Sequence, residues 1–138
     1  MTEINNSAEF THHVRVYYED TDAGGVVYHS QYLNFLERTR TEWLRSKGIE
    51  QRKLVENEQI LFVIRSMDIQ YIKPARLDDW LTVTVEPMQY KKASMTLAQT
   101  ISCGERQLVK AVVKIASLHS QAFKPIRFPD HLKQEIMS

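Results

Sequence analysis

Apolar and polar residues alternate over residues 12–19, with Val14, Val16 and Tyr18 on one side, and this period of two predicts a first strand. From residue 30 to residue 47 the period lengthens. Tyr32, Phe35, Leu36, Thr39, Trp43 and Leu44 then share one broad face of a helical wheel. Ser30 stands where a helix N-cap belongs, and Gly48 where a left-handed residue closes the helix. Gln51–Glu58 reads as a short second helix. From Ile60 alternation returns: Leu61, Val63, Met67, Ile69 and Tyr71 mark one face of a long strand that Pro74 stops. A third strand over residues 80–91 carries Leu81, Val83 and Val85 on one face, and Pro87 within it predicts an edge position or a bulge. Ser94–Cys103 makes a fourth through Met95, Leu97 and Ile101, and Gly104-Glu105 makes the next turn. The fifth, over residues 107–119, presents Val109, Ala111, Val113 and Ile115 together, and Pro129 opens a terminal helix over Asp130–Met137.

One strand, a long helix, then four strands joined by short turns is an α+β order, with the helix packed on an antiparallel sheet. The apolar face of the helix covers about half its circumference, so a sheet curled around it buries more than a flat one. Residues 1–10 are polar and read as a flexible tail before a single domain over residues 11–138.

Composition narrows the function. A chain of 138 residues buries about two thirds of its unfolded surface, which suits one domain. A formal charge of +1 gives no electrostatic reason to expect nucleic acid or an anionic membrane as partner. Cys103 is the only cysteine, so neither an internal disulfide nor a multi-cysteine metal site can form. No apolar run reaches membrane-spanning length, and the first ten residues lack the basic and apolar blocks of a signal peptide, so a cytoplasmic location is expected. His12-His13 has no partner at metal-ligand spacing, and neither a metal nor a cofactor is expected. Phosphate-binding loops, dinucleotide fingerprints and nucleophile elbows are absent from the sequence, which removes the common phosphoryl-transfer, hydride-transfer and serine-hydrolase readings.

The candidate chemistry gathers between the first strand and the long helix. Asp22 precedes Gly24 and Gly25, where the chain can turn tightly and approach a ligand. Its carboxylate can act as general base or as nucleophile; equally, Asp20 and Asp22 can serve as turn or cap residues. His29 sits where the helix begins, so its N–H can receive a developing oxyanion and its imidazole can place water or a carbonyl. A half-exposed histidine at a helix start is the plainer alternative. Tyr18, on the apolar side of the first strand, can reach the site or simply pack. Glu37 and Arg40 are spaced to pair as structural support, although Arg40 falls inside the apolar arc. Lys91 and Lys92, at the turn after the third strand, are a candidate phosphate contact or a solvated pair.

The stretch YYEDTDAGGVVYH and the following YLNFLERTRTEWLR closely resemble the hotdog-fold acyl-CoA thioesterases of the 4-hydroxybenzoyl-CoA thioesterase superfamily, most of all the YbgC-type proteins of the bacterial Tol–Pal gene cluster. Weaker likeness continues through FVIRSMDIQYIKPARLDD and the remaining strands. The resemblance implies a five-stranded antiparallel sheet wrapped around the long helix. It also implies a homodimer whose sheets join, assembled further as a dimer of dimers, with active sites at the dimer interface. By motif position it makes Asp22 the catalytic carboxylate, the His29 N–H the group that polarises the thioester carbonyl, and Tyr18 and the His29 side chain parts of the site. Lys91 and Lys92 fall near the region expected to meet coenzyme A phosphates. The implied reaction is hydrolysis of acyl-CoA to free acid and coenzyme A. Acyl carrier protein as the acyl donor, or a mainly non-catalytic role beside phospholipid-synthesis and envelope proteins, are the alternatives.

Overall fold

The computed structural model describes residues 2–3 and 9–138. In chain order its elements are β1 (Thr2–Glu3), β2 (Phe10–Arg15), α1 (Gln31–Ser46), α2 (Gln51–Glu58), β3 (Ile60–Tyr71), β4 (Trp80–Tyr90), β5 (Ser94–Cys103), β6 (Arg106–His119) and α3 (Asp130–Met137). A 3-10 turn at Tyr18–Asp20 follows β2. The sheet is antiparallel throughout, in the order β4, β5, β6, β3, with β1 and β2 both along the free side of β4. It is therefore five strands wide. Of the residues expected in an N-terminal tail, Met1 and residues 4–8 lie outside the described ones, Thr2 and Glu3 pair with Tyr90 and Gln89, and Phe10 opens β2 opposite Val85.

Helix α1 buries Tyr32, Phe35, Leu36, Thr39, Arg40, Trp43 and Leu44, the face expected from the wheel with Arg40 added. It makes its close approaches to β4 and β2, so it lies toward one side of the sheet and leaves a groove along β3. Phe35 and Leu36 are fully buried, each contributing about 1.5–3 kcal/mol relative to exposure. Gly48 closes α1 at φ 80°, donating to the Arg45 carbonyl while Ile49 donates to that of Leu44. These two bonds satisfy carbonyls that the helix end would otherwise leave open. Ser30 stands next to the helix start, but its side chain makes no capping hydrogen bond.

The inner face of the sheet comes from Leu81, Val83 and Val85, from Met95, Leu97 and Ile101, and from Val109, Ala111, Val113 and Ile115, as the alternation indicates. Leu132 and Ile136 of α3 join Trp43 and Tyr90 in the half of the core farther from the acidic loop. Pro87 sits at a register shift between Pro87 and Gln89 in a strand paired on both sides, so the bulge rather than the edge is the one realised. It is tolerated because it falls between the stretches paired with β1 and β2.

Two expectations are corrected. Strand β2 ends at Arg15, and Tyr18 lies beyond it in the 3-10 turn, 82% exposed, not on an apolar strand face. In β3 the register shifts between Ile64 and Ser66. The extra residue reverses the phase, so Ile60 and Phe62 face the core before it, and Met67 and Ile69 after it. Leu61 and Val63 do not share the face of Met67.

Candidate active site

The acidic loop is built on short hydrogen bonds. Thr21 pairs with Val27 as an isolated bridge, the Asp22 N–H donates to the Val26 carbonyl at 2.9 Å, and the Gly25 N–H to that of Asp22 at 3.1 Å. Gly25 adopts φ 79°, which side chains resist. Gly24 brings its N–H to 2.8 Å from Asp22 Oδ1, and a Cβ there would stand 3.2 Å from the same oxygen. The glycines thus seat the carboxylate without crowding it.

The two aspartates have separate roles. Asp20 is buried, and accepts from the Tyr17 N–H at 2.8 Å and from Gln31 Nε2 at 2.7 Å. Its carbonyl accepts from the Tyr28 N–H at 3.0 Å. Asp20 therefore ties the loop to the start of α1. Asp22 is exposed, and among the described residues its Oδ2 has no partner. Of the two, Asp22 is free to meet a reactant.

His29 lies one residue before Ser30 at the head of α1. Among the described residues its N–H donates to no acceptor. The positive end of the helix dipole stands behind that group, which suits it to an anionic oxygen. Its exposed imidazole packs on Tyr28 at 4.4 Å between ring centres and meets Tyr71 edge-on at 6.4 Å. The Tyr71 hydroxyl donates to the His29 carbonyl at 3.2 Å, fixing this turn against the end of β3. Tyr32, the second residue of α1, accepts from the Ala75 N–H at 2.9 Å, and the Ala75 carbonyl accepts from the Val27 N–H at 2.9 Å. Burial raises the Tyr32 phenol pKa. Beside these residues a hollow of about 250 Å³ is bordered by Val27, His29, Tyr32, Tyr71 and Lys73.

The Thr21–Val27 bridge thus places Asp22 and His29 on either side of one short hairpin, and of the two only His29 borders the hollow. Tyr18 borders the same loop, accepting at its carbonyl from the Thr21 N–H at 3.1 Å and the Thr21 hydroxyl at 2.7 Å, with its own hydroxyl unpartnered among the described residues. Lys91 and Lys92 do not join this group within one chain. They follow β4 at the end where Phe128 donates to the Lys92 carbonyl, a strand length from Trp80 at the end nearer the acidic loop. The expected Glu37–Arg40 ion pair does not form: Arg40 donates instead to Gln99 Oε1 at 3.0 Å. Sequence reasoning missed Tyr71, Ala75 and Gln99, whose partners lie more than 40 residues away. Pro74 flagged only the end of β3, one residue before Ala75. Among the described residues no three His, Cys, Asp or Glu side chains converge as metal ligands, and no helix is long and apolar enough to cross a membrane.

Comparison with known proteins identifies the family. The family model described as "Thioesterase superfamily" matches residues 24–110. The acyl-CoA thioesterase YbgC of Haemophilus influenzae is 45% identical over 124 residues, covering 90% of this chain and 91% of that protein. The acyl-CoA thioester hydrolase YbgC of Escherichia coli O6:H1 is 41% identical over 131 residues, with 94% and 97% covered. A crystal structure described as "Probable Thioesterase from Bartonella henselae" superposes with a TM-score of 0.84 at 40% identity, covering 88% of this chain and 100% of that one. With its curled antiparallel sheet around α1 and its acidic loop at the helix head, the chain belongs to the hotdog-fold thioesterase superfamily, close to the YbgC-type members.

Proposed function

We propose that the chain hydrolyses acyl-CoA thioesters, with Asp22 as general base and the head of α1 as the oxyanion site. The observation that carries this reading is local. A carboxylate with one oxygen unpartnered and a backbone N–H with no acceptor among the described residues stand at the two ends of one loop, from Asp22 to His29. The acyl-CoA substrates named for the Haemophilus influenzae and Escherichia coli relatives supply the substrate class.

In this mechanism Asp22 takes a proton from water as its oxygen adds to the thioester carbon. The carbonyl oxygen gains the negative charge and rests on the His29 N–H, a donor worth about 3 kcal/mol to the transition state. Collapse of the tetrahedral intermediate breaks the carbon–sulfur bond. The coenzyme A sulfur leaves with the proton that Asp22 had taken, and the free acid remains. The His29 imidazole and the Tyr18 hydroxyl flank the approach and orient the thioester.

A second copy completes the site in the same reading. β3 pairs only with β6 among the described strands, and its outer edge is a row of unsatisfied backbone groups. Two copies joined along this edge form a homodimer with a continuous sheet, and dimers of dimers follow from its outer face. Lys91 and Lys92 then serve coenzyme A phosphates bound at a neighbouring copy's site.

The test is steady-state hydrolysis across short-chain, long-chain and aromatic acyl-CoAs, with Asp22→Asn measured alongside. Turnover of one class that is lost in the variant is expected. Turnover insensitive to the substitution refutes the mechanism.

A further inference from the structure

Arg40 is a buried cation without a counter-charge among the described residues. It is only 6% exposed, on the face of α1 that otherwise meets apolar core. Its Nη1 donates to Gln99 Oε1 at 3.0 Å. Gln99 is fully buried, and its Nε2 donates to the carbonyls of Leu36 and Thr84, so it holds the guanidinium in one orientation. A guanidinium carries five N–H donors, and the other four of Arg40 meet no acceptor among the described residues. One neutral amide does not offset the desolvation of a buried cation.

Arg40 borders a hollow of about 170 Å³ between α1 and the first half of β3. Glu37, Thr41 and Leu44 line it from the helix, Phe62, Val63 and Ile64 from the strand. That strand is the one whose outer edge pairs with nothing among the described strands, and its Ile64 is 49% exposed. Glu37 stands at the same rim, exposed, accepting from the Thr41 hydroxyl at 3.3 Å and from no cation among the described residues. An acid and a base three residues apart on one groove thus both lack their counter-charge.

A second copy supplies both. Where two β3 edges pair antiparallel, the two-fold axis stands perpendicular to the joined sheet, and the two α1 helices run antiparallel on one face of it. Helix α1 spans Gln31–Ser46, so its centre falls between Arg38 and Thr39. In a two-fold pair about that centre, position 37 of each copy faces position 40 of the other, and position 33 faces position 44. Leu33, Glu37, Arg40 and Leu44 recur at intervals of four, three and four, the spacing of a single stripe along a helix. Leu33 is 39% exposed although apolar. The stripe is therefore its own complement: acid meets base twice, and leucine meets leucine twice. An anionic ligand would answer Arg40 and face Glu37 as a like charge, whereas a second copy answers both.

We propose that the groove between α1 and β3 receives the same groove of a second copy, with Glu37 of each copy paired to Arg40 of the other. The inference rests on the homodimer joined along β3 and adds the side chains that select the partner.

The experiment is a charge swap read by sedimentation velocity and native mass spectrometry. Glu37→Arg sets cation against cation at both contacts, and Arg40→Glu sets acid against acid, so each variant alone is expected to be monomeric. Mixed in equal amounts, the two restore opposite charges at both contacts and should form heterodimers, with few homodimers of either variant. Circular dichroism establishes whether Arg40→Glu is folded. If it is not, the exposed position decides alone: the dimer Kd should rise by about tenfold in Glu37→Gln and further in Glu37→Arg. Dimers that persist in both folded reversal variants, a mixture that stays monomeric, or a Kd unchanged or lowered in Glu37→Arg would overturn the proposal. A wild-type protein that sediments as a monomer would instead overturn the homodimer on which it rests.

Discussion

Asp20 and Asp22 are two residues apart, and their contacts predict opposite consequences of substitution. Removing the Asp20 carboxylate in Asp20→Ala leaves the Tyr17 N–H and the Gln31 amide without their acceptor. Hydrogen bonds to a charged group are worth about 1.5–3 kcal/mol each, but both donors are part-buried and partly regain water. The net loss is therefore about 2–3 kcal/mol. In a domain of this size each kcal/mol moves the midpoint by about 3–4 °C, so Tm should fall by about 6–12 °C. In Asp22→Asn the Gly24 N–H keeps an oxygen acceptor, and stability should change by less than about 0.5 kcal/mol. Its turnover, however, should drop by about 10²–10⁴ if the carboxylate is the base. Urea denaturation followed by tryptophan fluorescence measures the first effect, and colorimetric detection of released coenzyme A thiol the second. Equal destabilisation by the two substitutions, or an Asp20→Ala protein as stable as wild type, would refute this division of labour.

Three further outcomes are expected. In a single turnover in ¹⁸O-water, label should appear in the product acid and not in the Asp22 carboxyl; label in Asp22 would replace the general-base route with an anhydride. The double substitution Lys91→Ala/Lys92→Ala should raise KM for acyl-CoA while leaving KM for an acyl-pantetheine thioester unchanged, and parallel rises would remove these lysines from phosphate binding. On α3, His131 bonds to Glu58 of α2, with Glu135 one turn further on. The hydrogen bond to Glu58 is the main cause of a raised His131 pKa. A pKa raised on folding gives stability that is fully present below the unfolded value of about 6.5 and is lost as pH rises through the folded value. The stability difference between wild type and His131→Gln should therefore shrink from pH 6 to pH 9; a constant difference would show that the ion pair does not fasten α3.

Much of this architecture is legible in the chain because its signals are local. Gly48, Pro129 and the Gly104-Glu105 turn mark boundaries within a residue or two, and the wheel of α1 shows the same face that the sheet buries. The acidic loop is visible for the same reason, since its bonds join residues within a short span. What fails is what depends on distant partners. The shift between Ile64 and Ser66 takes its meaning from β6, so alternation through Leu61 and Val63 points to the wrong face. Arg40 looks spaced for Glu37, yet its acceptor is Gln99 on a strand far along the chain. Asp22 stands out in sequence by the glycines that follow it, whereas the tether role of Asp20 is set by its burial beside Gln31, eleven residues further on.

The tight Gly104-Glu105 turn also bears on how the molecule forms. β5 and β6 are joined by two residues, and β4 and β5 by a similarly short connection at Lys91 to Ala93, so these pairings close small loops. β2 must instead find β4 across α1, α2 and β3, and β3 must find β6 across two strands. Loop-closure entropy therefore favours β4, β5 and β6 as the early meander, with both outer strands added later. Pulsed hydrogen exchange during refolding should protect Leu97 and Val113 before Val14 and Ile69. The acidic loop, held at one end by β2 and at the other by the segment after β3, would then gain its folded geometry in the last step of refolding. Recovery of activity would trail recovery of the sheet.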